Sequence, residues 1–83
     1  MSVYFKICED TVKVIPSYDA ERAYSISYAP KMIVINVNVA PKYIRRRIYQ
    51  AVVAYYKGKV NRPVTYSERQ HFKQQLENYR GVK

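Results

Sequence analysis

Along the first forty residues apolar and polar side chains alternate, and past Pro41 the alternation stops. A period of two places successive side chains on opposite faces of a strand. Val3, Phe5 and Ile7 form one face of a segment over 3–8, with Tyr4, Lys6 and Cys8 on the other. Residues 11–15 continue in extended form after a turn at Glu9 and Asp10, which predicts a hairpin closed by Pro16. Glu-Asp is not the favoured Asn-Gly turn pair, so the register stays open. The segment 17–23 is polar enough for a loop or a single helical turn. Tyr24, Ile26 and Tyr28 then alternate with Ser25 and Ser27, a half-buried strand with a hydroxylic outer face. After a turn at Ala29, Pro30 and Lys31 comes the clearest strand, 32–39, with Ile33, Ile35, Val37 and Val39 on one face and Asn36 and Asn38 on the other. Short connections between successive strands predict an antiparallel meander of three or four strands.

At Pro41 the period changes to about 3.6, and proline is tolerated in a first helical turn because its N–H would be unpaired anyway. A helix over 42–57 is expected, closed by Gly58. At 100° per residue Ile44, Ile48, Ala51, Val52 and Tyr55 fall within about 100° of arc and form the seam that packs on the sheet. Tyr49, Val53 and Tyr56 form a second stripe beside it, too apolar to face water, which calls for cover by the last helix or by a second subunit. Pro63 biases Arg62 away from helix. Thr65 to Glu68 and Ser67 to Gln70 both have capping-box spacing, so a second helix is expected over 67–80, ending at Gly81. Its apolar stripe is only Phe72, Leu76 and Tyr79. The expected fold class is α+β: a small antiparallel sheet of three or four strands from residues 1–40, packed against two helices from 41–83, in a single domain.

Composition narrows the function. The 83 residues are 48% hydrophobic with 2 Gly and 4 Pro, too apolar for intrinsic disorder. At that length only about 60 to 65% of the unfolded surface is buried, so a thin core is expected to benefit from a partner subunit. One cysteine, Cys8, closes no intrachain disulfide, which fits a reducing compartment. Charges at Lys6, Glu9, Asp10 and Lys13 interrupt any signal-peptide core, and the longest apolar run, 51–56, is far short of the ~20 residues a membrane helix needs. No membrane association and a cytoplasmic location are expected.

The 15 Lys and Arg against 6 Asp and Glu give a formal charge of +9, and its distribution is uneven. Residues 1–40 hold four bases (Lys6, Lys13, Arg22, Lys31) and four acids (Glu9, Asp10, Asp19, Glu21). Residues 41–83 hold eleven bases and two acids, Glu68 and Glu77. A surface selected only for solubility mixes its signs, whereas this asymmetry points to a polyanion. On the helical wheel Lys42, Arg46, Gln50 and Lys57 lie opposite the core seam, Arg45 and Arg47 flank it, and Lys59 and Arg62 extend the strip beyond it. Such a helix can grip phosphates, with affinity that falls as salt rises. Arg69, Lys73 and Arg80 form a second rank on the last helix, beside Gln70, Gln74 and Asn78, amides of the kind that read adenine edges. The connection 58–66 is too long for a helix-turn-helix. Ten tyrosines against two phenylalanines and no tryptophan could stack on unpaired bases or serve an interface.

Catalytic signals are sparse. His71 and Cys8 are single and far apart in sequence, so no zinc site is expected, and glycines only at 58 and 81 exclude a Gly-rich phosphate loop. Residues 33–56 resemble the strand, basic turn and helix of small zinc peptidases, but Val52, Val53 and Tyr56 stand where the His, Glu and His of that helix would be. The likeness is one of secondary-structure pattern and implies neither metal nor activity. The sequence therefore predicts a small non-enzymatic nucleic-acid-binding protein, without cofactor and as a homodimer, contacting DNA or RNA non-specifically through Lys42, Arg45, Arg46, Arg47, Lys57, Lys59, Arg62, Arg69, Lys73 and Arg80. The alternative is a protein-interaction module or inhibitor that docks an acidic protein through Tyr49, Val53 and Tyr56.

Overall fold

The computed structural model describes residues 3–78, so Tyr79, Arg80 and Gly81 lie outside the described residues. Four strands, β1 (Val3–Ile7), β2 (Asp10–Ser17), β3 (Tyr24–Tyr28) and β4 (Lys31–Asn36), precede two helices, α1 (Pro41–Val60) and α2 (Tyr66–Asn78). The α+β class holds, with a four-stranded sheet and both helices C-terminal to it.

The sheet is not the expected meander. Its order is β1-β2-β4-β3, and β2 pairs with β4 in parallel while the other two pairings are antiparallel. The loop 18–23 steps across two strand spacings, ~10 Å, so that β3 lands one place out and β4 turns back into the gap. Asn36 fixes this crossing: its side-chain Nδ2 donates to the Ala20 carbonyl at 2.8 Å, and its backbone N–H donates to Ala23 at 3.0 Å. Adjacency of successive strands is only a tendency, and here a side chain on the far side of the loop decides against it.

Local chemistry explains the ends of the elements. The first hairpin turns one residue earlier than expected, Ile7 pairing with Asp10 across Cys8 and Glu9, with Cys8 at φ 58°. Pro16 does not end β2, because β1 begins opposite Val14 and no β1 residue among those described needs a proton from position 16. Helix α1 runs through Gly58 to Val60 and is closed instead by Asn61, at φ 53° and ψ 43°, whose N–H donates to the Lys57 carbonyl. Asparagine tolerates that left-handed conformation. Gly58 serves close approach: a Cβ there would collide with the hydroxyl oxygen of Tyr28. At α2, the Thr65 to Glu68 box forms and the Ser67 to Gln70 spacing does not set the start. The Glu68 N–H donates to Thr65 Oγ1 at 3.3 Å, and Glu68 Oε1 accepts the Thr65 N–H at 2.9 Å.

Both helices cover one face of the sheet. Phe5, Ile7, Val12, Val14, Ile33 and Ile35 meet Ile44, Ile48, Ala51, Val52 and Tyr55 in one continuous buried cluster, joined at its side by Phe72 and Leu76 of α2. The seam read from the 3.6 period is therefore the buried one. On the opposite sheet face, strand pairing aligns Tyr4, Lys13, Met32 and Ser27 across the sheet, with Ile15, Val34 and Ser25 in the next row. No described helix is long and apolar enough to cross a membrane.

Candidate nucleic-acid interface

The ten basic residues singled out by sequence separate into classes once their partners are known. Three neutralise or cap groups within the chain. Arg62 forms a two-pronged ion pair with Glu68, Nη1 to Oε1 at 2.9 Å and Nη2 to Oε2 at 2.8 Å. Tyr56 donates its hydroxyl to the same Glu68 carboxylate, and Thr65 reaches it through both N–H and Oγ1. Hydrogen bonds from Arg62, then Tyr56 and Thr65, hold the Glu68 carboxyl well below the usual carboxylate range. The same pairing raises the Arg62 guanidinium further. Lys59 contacts Asp10 Oδ2 at 3.0 Å, and Lys31 contacts Oδ1 at 2.9 Å. These two lysines pull Asp10 down to about 2. Arg47 donates to the Asn36 carbonyl at 3.0 Å and so ties the start of α1 to the end of β4.

Lys42, Arg45, Arg46, Lys57, Arg69 and Lys73 are exposed, as are Lys59 and Arg62. Arg80 lies outside the described residues. Lys42 sits 5.1 Å above the Tyr43 ring and Lys73 of α2 sits 5.5 Å above the Tyr49 ring of α1. Arg69, one turn before Lys73, shares its side of α2. Lys42 and Arg46 of α1 are exposed. The two basic helices pack against each other and both carry exposed cations.

Helix α2 covers the Tyr49, Val53, Tyr56 stripe, which was expected to be covered by it or by a second subunit. Val53 is only 8% exposed, and the Tyr56 ring meets Phe72 edge-on at 5.3 Å. Tyr49 and Tyr56 are half-buried.

One juxtaposition was not legible in the sequence. Cys8 and His71, far apart in the chain, line the same cleft of about 530 Å³ between the first hairpin and α2, together with Lys6, Tyr56, Glu68 and Gln75. Gln75 Nε2 donates to the Lys6 carbonyl at 3.3 Å and lies 3.1 Å from His71 Nε2, while its Oε1 is buried with no partner among the described residues. Partial burial, with Asp10 beside it, pushes the Cys8 thiol up, which favours the thiol over the nucleophilic thiolate. Among the described residues no three His, Cys, Asp or Glu side chains are grouped to hold a metal ion.

The remaining titratable contact is structural. Tyr55, fully buried, donates its hydroxyl to Asp10 Oδ2 at 3.2 Å. Burial and the adjacent carboxylate push its phenol up to about 12. Comparison with protein-family models, with curated proteins and with solved structures finds no match for this chain.

Proposed function

We propose that the chain is a small basic nucleic-acid-binding protein that holds backbone phosphates through the exposed cations of α1 and α2. The reading rests on one observation. Most of the charge excess of residues 41–83 is carried by two helices that pack side by side, with Lys42, Arg46, Arg69 and Lys73 exposed on them. Lys57 lies further along α1. Phosphates need only cations at a surface they can reach, and affinity then follows the number neutralised. Arg62 and Lys59 are engaged with Glu68 and Asp10, so they contribute less than their place in the sequence implied. Lys59 and Arg62, though exposed, belong to the frame of the interface, and Lys42, Arg46, Lys57, Arg69 and Lys73 to its contacts.

The test is a salt titration of binding to labelled duplex and single-stranded oligonucleotides. If all five of Lys42, Arg46, Lys57, Arg69 and Lys73 meet phosphates, log K falls with log salt at a slope of about −4 to −5 for duplex. The Arg46→Ala, Lys57→Ala double variant loses about 2 from that slope, whereas Lys59→Ala changes it little. Absence of binding at low salt overturns the proposal, and equal effects from Lys59→Ala and Arg46→Ala overturn the assignment of contacts.

A further inference from the structure

The sheet has two edge strands, and they are protected differently. At β1 the Lys6 carbonyl is capped by Gln75 of α2, and Lys6 itself places a charge in the strand. At β3 the sequence is Tyr-Ser-Ile-Ser-Tyr, without charge or proline, and its register with β4 is unbroken by a bulge. Among the described residues nothing pairs with its outer side. Edge strands are ordinarily blunted by the devices that β3 lacks.

The direction of its backbone groups follows from two hydrogen bonds. Asn36 donates to Ala23 and Val37 donates to Ser17, so the even-numbered residues of β4 face β3 and the odd ones face β2. With Ala23 opposite Asn36, Ser25 and Ser27 turn their N–H and C=O toward β4, and Tyr24 and Ile26 turn theirs outward, as does Tyr28 by the same alternation. The side chains of these outward-facing residues are also incompletely covered. All three lie on the helix side of the sheet, where Ile33 and Ile35 are 0% and 1% exposed, yet Tyr24 and Ile26 are half-buried and Tyr28 is 44% exposed.

We propose that β3 is the surface at which two copies of this chain pair, antiparallel about a two-fold axis at Ile26, so that two four-stranded sheets become one. The strand reads the same in both directions, so this register sets Tyr24 against the partner's Tyr28, Ser25 against the partner's Ser27, and Ile26 against itself. The same register matches every outward-facing residue to an outward-facing one, giving hydrogen-bonded pairs at 24 with 28 and 26 with 26. A slip of one residue would set outward groups against inward ones. The axis stands perpendicular to the sheet, so the helices of both copies stay on one side. The contact is independent of nucleic acid.

Two measurements test it. The mass in solution, by light scattering or sedimentation over a range of concentrations, should be twice the 9.8 kDa of the chain. It should halve in the Ser25→Lys, Ser27→Lys double variant, which sets like charges opposite each other across the axis without touching the core face. In a Cys8→Ser background, Ser25→Cys and Ser27→Cys chains should each remain uncrosslinked alone and form a disulfide dimer when mixed, because 25 meets 27 and neither meets itself. A wild-type mass of one chain overturns the proposal. So does a dimer that survives both lysines, or a Ser25→Cys chain that crosslinks to itself. Should the lysine variant fail to fold by circular dichroism, the cysteine mixing decides alone.

Discussion

Phe72 is the residue on which the placement of α2 depends, and its removal gives a calculable result. It is 4% exposed, stands edge-on to Tyr56, and with Leu76 makes up the buried contact of a helix that is otherwise polar. A helix of 13 residues is marginal in water on its own, so α2 is helical because it is docked. Phe72→Ala removes the larger of two anchors, at a cost of about 3 to 5 kcal/mol. A domain of 83 residues has a total stability of roughly 4 to 12 kcal/mol. With ~4 to 8 °C of Tm per kcal/mol at this size, the melting temperature should fall by at least about 12 °C. Thermal unfolding followed by circular dichroism and by tyrosine fluorescence should show one transition in both, because Phe72 shares the cluster that contains Phe5, Ile7 and Val53. Phe72→Leu should recover most of the loss. A fall under ~4 °C with helicity retained would refute the reasoning, since α2 would then be held by something other than its buried stripe.

Three further outcomes follow from the polar contacts. Asp10 is held at about 2 by Lys31 and Lys59, below its ordinary 3.8, so its contribution is present above pH ~4 and is lost as the pH falls through 2; acid unfolding of Asp10→Asn should be flatter across that window than that of the wild type. Tyr55, raised to about 12 from 10, keeps its proton in the folded state after the unfolded chain has lost it, so stability falls as pH rises from 10 toward 12. Tyr55→Phe should remove that fall, and one of the ten tyrosines should be late in a phenolate absorbance titration. Glu68→Ala releases Arg62 and the Thr65 N–H, so the Thr65 amide should exchange faster and the salt slope for duplex binding should steepen by about 1; an unchanged slope would place Arg62 away from the phosphates.

How far the sequence reaches is shown by individual residues. Ile44, Ile48, Ala51, Val52 and Tyr55 were legible as the buried seam because a 3.6 period is a property of one continuous segment. The strands were legible for the same reason, but their order was not: the period of two says that 24–28 is a strand and is silent on whether β4 or β2 lies beside it. The decisive contact, Asn36 to Ala20, spans the loop and has no periodic signature. Gly58 looked like a helix stop and is a point of close approach, a distinction that depends on Tyr28, thirty positions earlier. At the candidate interface, the basic character of α1 and α2 was legible, but which cations are engaged was not. Arg62 and Glu68 are six apart across a linker, and Lys59 and Asp10 are in different halves of the chain.

The placement of β4 between β2 and β3 also constrains the order in which the chain can become folded. As residues leave the ribosome, the hairpin β1-β2 is complete early but has no neighbour on the β2 side until residue 36 has been made, and a lone hairpin is marginal in water. The strand that closes the gap is followed within a few residues by α1, which covers it. Nascent chains that stop short of α1 should therefore expose the entire apolar face of an incomplete sheet, and folding should set in abruptly once about sixty residues have emerged.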